Sequence, residues 1–320
     1  MPNLHENLWF LLAAILLPFS DKPFGGKATD YLNRGNEKKA NGDLEGAIAD
    51  YSKAIELEPV YAAAYWNRAN AFYEKKDFSG AIADYTKYID FQPYEPNAYY
   101  NRGFAKAAQG DLEEAIADYT KAIELEPSSA HAYYGRGLAK AVQGYPEDAI
   151  LDYTEAIIIN PNYSAAYQSR GYLRYDLRAY TEALTDFQRA IELDPTSDFA
   201  QFRVWLIRAR FGEKEAAIAD IGKYAAGRYP DNPDAWLGKI ARFFAGQLTE
   251  QELFAAAIHP DKKTEAGQLC EAHFYAGSTH LIDGNKSAAK KHFEKSIATG
   301  ITTFHEYNSS LAEMRYLCLT

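Results

Sequence analysis

The segment NRGFAKAAQGDLEEAIADYTKAIELEP, Asn101 to Pro127, decides the fold. It reads as two short helices joined by a turn at Gly110-Asp111, and close copies recur up and down the chain. The prolines that close successive copies, Pro59, Pro93, Pro127, Pro161 and Pro195, stand 34 residues apart. Helix–turn–helix units at that period stack into a solenoid, because each unit buries its apolar face against its neighbours. The expected fold is therefore all-α: a right-handed α-solenoid (superhelix) of stacked hairpins with a C-terminal capping helix.

The units open at Ala28, Ala62, Pro96, Ala130 and Ser164. An aromatic holds the fourth position of each first helix (Tyr31, Tyr65, Tyr99, Tyr133, Tyr167), and a small residue follows four later (Gly35, Ala69, Gly103, Gly137, Gly171). The second helix presents Ala47, Ala81, Ala115, Ala149 and Ala183, then an aromatic at i+4: Tyr51, Tyr85, Tyr119, Tyr153 and Phe187. Glycine inside a helix costs about 1 kcal/mol relative to alanine. Its recurrence therefore implies close packing, and the aromatics are expected to fill the seam with the next unit. Gly42-Asp43 and Gly110-Asp111 suit a left-handed helix stop followed by an N-cap. Asp111 with Glu114 has capping-box spacing, and Pro146 suits a first helical position.

Over Ala28 to Ser197 this pattern resembles the tetratricopeptide repeat (TPR) family. One departure is the seventh position, often leucine in the family. Here it is Arg34, Arg68, Arg102, Arg136 and Arg170, with Asp50, Asp84, Asp118, Asp152 and Asp186 beside the second-helix aromatic. Each Arg is expected to pair with an Asp, within a unit or across the seam, as a structural ladder.

The resemblance implies that first helices line a concave face. The inward positions then hold Trp66, Tyr100 and Tyr134; Asn33, Asn67 and Asn101; Asn36 and Asn70; Tyr73 and Tyr175; and Asn97 and His131. Amides that donate and accept suit an extended peptide backbone, and aromatics supply rigid contact area. A groove for a peptide or partner helix is expected; the alternative is a solvated face fixed by repeat duplication. Leu32 and Asn101 stand where the carboxylate-clamp variant of the family needs basic residues, so a chaperone-tail adaptor fits poorly.

The sixth unit, 198–231, keeps the length and loses the pattern, with Trp205 at the small position and Ile221 at the aromatic one. Residues 232–320 read as further helical pairs (Trp236 to Phe243, then Glu250 to Ile258), a polar loop from His259 to Gly267, a repeat-like stretch from Cys270 to Gly300 with Gly277, Ala289 and Phe293 in register, and a closing helix from Phe304 to Leu317. The end of this region resembles bacterial NlpI-like TPR lipoproteins through Phe274-Tyr275, Gly277, Gly284, Phe293, Phe304, Glu306, Leu311 and Glu313. That family acts at the cell envelope as an adaptor for proteases and cell-wall hydrolases.

At the other end, Leu8 to Leu17 (LWFLLAAILL) is too short for a comfortable span and has the length of a secretory-signal core. Residues 1–20 are read as this signal-like segment and 21–27 as a linker. Export to a bacterial periplasm or envelope or secretion, or retention by an uncleaved signal, is the expectation; a cytoplasmic chain whose first helix caps the solenoid is the alternative. No cysteine follows the run, so a lipoprotein anchor is not expected.

The net charge of −10 and the lack of a basic stripe argue against nucleic acid. No phosphate loop, GxSxG elbow or paired-cysteine motif occurs. No enzyme activity and no cofactor are expected. His273 and His280 lie seven apart on one predicted helix, with His292 or Glu294 as conceivable third ligands; without close ligand spacing they are read as ordinary surface or core histidines. Cys270 and Cys318 either pair in an oxidising compartment or are two half-buried thiols. The functional expectation is a non-enzymatic scaffold with a protein or peptide partner. The alternatives are a catalytic or metal-dependent role in the C-terminal third, or a homodimerising structural protein.

Overall fold

The computed structural model describes residues 26–232 and 234–319. The apolar run Leu8 to Leu17 lies outside them. The described residues form seventeen α-helices and no strand. They fall into two compact units, one ending at Pro161 and one running from Asn162.

The first unit is four hairpins: α1 (Gly26–Ala40) with α2 (Leu44–Leu57), α3 (Ala62–Glu74) with α4 (Phe78–Phe91), α5 (Pro96–Gln109) with α6 (Leu112–Leu125), and α7 (Ala130–Val142) with α8 (Pro146–Ile159). Gly110 ends α5 at φ 101°, with its N–H on Ala107 O and the Asp111 N–H on Lys106 O, a Schellman closure. Asp43 and Asp77 accept from Gly46 N and Gly80 N as N-caps. Asp111 makes no such side-chain bond, so the capping box expected there does not form.

Second-helix rings occupy the cleft of their own hairpin. A Cβ on Gly137 would stand 2.7 Å from Tyr153 Cε1 and 3.3 Å from Ala149 O. The seam is filled too: a Cβ on Gly135, in the following hairpin, would be 2.9 Å from Tyr119. Tyr51, Tyr85, Tyr119 and Tyr153 are all fully buried. Each such ring removes about 150–250 Å² from water, a gross gain of about 4–6 kcal/mol before its ordering cost.

All five Arg–Asp pairs form inside their own hairpin. Nε and Nη2 of each Arg meet the two carboxylate oxygens, as in Arg102 to Asp118 at 2.8 and 2.7 Å. The guanidinium also lies over the aromatic three residues earlier, 4.8 to 5.7 Å from its centroid. Lys38, Lys106, Lys140 and Arg174 add a second cation to Asp50, Asp118, Asp152 and Asp186. Arg34, with Lys38, holds the Asp50 carboxyl down at about 2, against the opposing effect of burial.

A third partner joins the ladder across the seams. Ser52, Thr86 and Thr120 donate to their own i−4 carbonyls, which leaves a lone pair facing the next hairpin. Arg68, Arg102 and Arg136 donate Nη1–H to those hydroxyls at 2.9, 3.2 and 3.1 Å. The sequence carries this signal as a Ser or Thr directly after the second-helix tyrosines Tyr51, Tyr85, Tyr119 and Tyr153.

The second unit begins with α9 (Ser164–Asp176) and α10 (Tyr180–Leu193), then α11 (Asp198–Arg210) and α12 (Lys214–Arg228). The irregular sixth unit exchanges large for small. Trp205 on the first helix stacks on Phe244 at 4.3 Å, while Ile221 takes the aromatic position. Next come α13 (Trp236–Phe244), α14 (Glu250–Ala256), α15 (Lys262–Ile282), α16 (Lys286–Ala298) and α17 (His305–Leu319). The stretch from Lys262 is helix rather than loop, because Asp261 caps it by accepting from Thr264 N at 2.8 Å. Cys270 is buried against Ser296 and Cys318 is exposed, both as free thiols, so neither the pair nor the two half-buried thiols are found.

The closing helix α17 packs against α9, α15 and α16. It brings a buried charge cluster with it. Glu306 accepts from Tyr275 OH at 2.9 Å and faces Arg203 at 3.4 Å; Glu313 takes Arg178 at 2.6 Å and also Arg210. Ser309 donates to Asp176 at 2.5 Å.

Burial pushes the Asp176 carboxyl up to about 7, against the pull of Arg203 and Ser309. An unfolded Asp titrates near 3.9, so through that window the folded state holds a proton that the unfolded chain has released. Stability therefore falls as pH rises from about 4 to about 7 and is level above. Asp176→Asn is expected to raise the melting midpoint at about pH 7.5 and leave it unchanged at about pH 4. Thermal melts by circular dichroism at the two pH values check this; an equal effect at both contradicts it.

Candidate partner-binding face

In the first unit the expected inward residues separate into three groups. Trp66 is buried, with its ring 4.9 Å from Tyr88 and 5.6 Å from Tyr85. The reason is local: Tyr88 stands where the other hairpins carry Ala54, Ala122 and Ala156, and its ring closes over the indole. Asn70 and Asn101 are also buried, and Asn70 accepts from Tyr85 OH at 2.5 Å. These three are core residues, which corrects their reading as a contact surface.

A second group is exposed or half-buried, and Asn36, Asn67 and Asn97 in it are engaged within the chain. Asn36 Oδ1 accepts from Tyr51 OH at 2.9 Å and from Asn67 Nδ2 at 3.0 Å. Asn97 donates twice to Glu95 at 3.3 and 3.1 Å. Asn33 is exposed on α1.

The third group is a half-buried row of rings running over α3, α5 and α7. Tyr73 lies 5.1 Å from Phe104, Phe104 lies 6.3 Å from Tyr100, and Tyr100 meets the edge of His131 at 6.5 Å. Tyr134, also half-buried, rests on Tyr153 at 5.6 Å. Burial raises the Tyr73 and Tyr100 phenols above their ordinary range, so both stay protonated. Burial also lowers the His131 imidazole, which keeps it neutral near pH 7. The row therefore presents apolar ring area and neutral polar groups. Phe104, at the same register position as Asn36 and Asn70, joins the row although it is not among the inward residues expected from the sequence.

In the second unit Tyr175 is 1% exposed. The guanidiniums of Arg203 and Arg210 lie 4.7 and 5.8 Å from its centroid. Its helix, α9, is packed against α17, and Tyr172 on the same helix stacks on His305 at 3.7 Å. The first-helix face of this unit is thus covered by the chain's own closing helix, and Tyr175 is not a contact residue.

Comparison with known proteins agrees with this architecture. Residues 35–76, 69–110 and 105–144 match a family model described as TPR repeat, and residues 142–198 and 169–233 match one described as tetratricopeptide repeat. Among solved structures, the MamA protein is 28% identical over a match covering 54% of this chain and 94% of MamA, with a TM-score of 0.51. A tetratricopeptide repeat protein from Parabacteroides merdae matches 90% of this chain and 100% of its own at 18% identity and a TM-score of 0.56. PilF of Pseudomonas aeruginosa matches 64% and 93% at 20% identity and a TM-score of 0.54. The last two are likenesses of fold. With the 34-residue hairpins, the Arg–Asp ladder and these matches together, the chain belongs to the tetratricopeptide repeat family.

Proposed function

We propose that this chain is a non-enzymatic scaffold whose first unit holds a peptide or partner protein along the ring row of α3, α5 and α7. The observation that carries the reading is the run Tyr73, Phe104, Tyr100, His131: four rings in sequence on three successive first helices, each half-buried with part of its surface open. Contiguous aromatic surface of this kind anchors partners, and it costs little ordering entropy because the rings are already held by their neighbours. Asn33 and Asn36 on the neighbouring first helix α1, and Asn67 on α3, supply amide contacts beside it. Placement in a bacterial envelope is supported by the signal-like run Leu8 to Leu17 and by the NlpI-like pattern near the C-terminus.

The test is affinity capture from envelope and cytosolic fractions, followed by titration of the captured protein against purified chain. A Tyr73→Ala, Tyr100→Ala double substitution is expected to weaken that affinity by about 30-fold or more with helicity retained. Unchanged affinity at unchanged helicity would remove the ring row from the function.

A further inference from the structure

Three helices of the second unit bring a histidine–carboxylate cluster together that their sequence spacing does not suggest. Glu250 opens α14, His280 lies in the last turn of α15, and His292 lies within α16. One ligand atom from each falls within 4.8 Å of the other two. His280 Nε2 is 2.8 Å from Glu250 Oε2, and His292 Nε2 is 3.2 Å from Glu250 Oε1. Two imidazoles thus aim the same ring nitrogen at the two oxygens of one carboxylate. In a tetrahedral zinc site with bonds of about 2.0–2.1 Å, neighbouring donor atoms stand about 3.3 Å apart. The two Glu–His separations already stand near that value, and all three donors lie within 4.8 Å of one another.

We propose that Glu250, His280 and His292 bind a Zn²⁺ ion, with His273 as a positioning residue. The donor set, two imidazoles and one carboxylate, suits zinc and leaves a fourth position for water or a donor from another molecule. His273 Nδ1 lies 3.1 Å from His292 Nδ1. When His292 ligates through Nε2, its Nδ1 carries the proton and donates it to His273, which fixes ring orientation and tautomer. Without metal, His292 can give its Nε2 proton to Glu250 while His273 donates to Nδ1, so the same four groups accommodate both states. Phe254 packs on the rings of His273 and His292, at 4.4 and 5.6 Å, and gives that side of the site an apolar wall. The bound ion ties the short α14 to the pair α15 and α16. Glu250 and His280 are only partly covered, with 38% and 30% of their side chains exposed, so solvent reaches the site.

The experiment uses the full chain, stripped with a chelator and then titrated with ZnCl₂, with zinc per chain, melting midpoint and far-ultraviolet circular dichroism as readouts. The expected result is one zinc per chain and a midpoint that rises with free zinc. A Glu250→Gln, His280→Asn double substitution, at partly exposed positions, is expected to abolish both effects with helicity retained. His273→Gln is expected to keep the one-to-one stoichiometry and weaken affinity by about 10–100-fold. Glu250→Gln alone, expected to lower affinity at least tenfold, serves as the second variant if the double one loses helicity. Fewer than about 0.1 zinc per wild-type chain at equimolar metal, or an affinity unchanged by Glu250→Gln, overturns the proposal.

Discussion

Arg68→Ala is expected to destabilise the first unit by about 3–5 kcal/mol, more than the same change at Arg102. The two positions are equivalent in register but not in surroundings. Asp84 is 4% exposed and Asp118 5%. Removing Arg102 leaves Lys106 on Asp118 at 2.8 Å. At the corresponding place in the second hairpin the residue is Phe72, which packs under Arg68 at 5.8 Å and offers no charge. Among the described residues Arg68 is the one cation on Asp84, so its loss strands a buried carboxylate. The Ser52 hydroxyl loses its donor as well. Urea unfolding followed by circular dichroism at 222 nm measures the difference. Equal losses at Arg68 and Arg102 would show that the second cation adds nothing, and no loss at either would show that the ladder is not structural.

Glu306→Ala is expected to cost the second unit a similar amount, about 3–5 kcal/mol, through the opposite charge. Arg203 is fully buried, with its guanidinium between the rings of Tyr172, Tyr175 and Phe274 at 4.4 to 5.0 Å. Its Nη2 faces Glu306, while its Nε and Nη1 have no hydrogen-bond partner among the described residues. The rings attract the cation, yet the carboxylate supplies the charge that matches it. Replacing both by apolar groups, Arg203→Met with Glu306→Leu, is expected to recover most of the loss, because neither charge of this pair is then left buried without the other. Hydrogen exchange of the α11 and α17 amides, with urea unfolding, checks the pair. A double variant as unstable as Glu306→Ala would assign the loss to packing rather than to charge.

These two ion pairs divide what was legible in the chain from what was not. The 34-residue period, the small residues opposite aromatics and the Gly–Asp turns are local or one-repeat relations, and a repeat array is built from nearest-neighbour contacts. The hairpins and the Arg–Asp ladder could therefore be read from residue order. The accessibility of the inward face could not. Trp66 was closed off by one substitution in its own hairpin, Tyr88 for alanine. Tyr175 was covered by a helix starting 130 residues later in the chain.

Residue order by itself determined the class of fold, the hairpin register and the pairing of each Arg with an Asp, because those interactions span no more than one unit. Tertiary structure alone decided which first-helix face stays open, where Arg203 finds its carboxylate, and that Glu250 meets His280 and His292. Those meetings join residues brought close by how helices stack, and sequence separation holds no record of that.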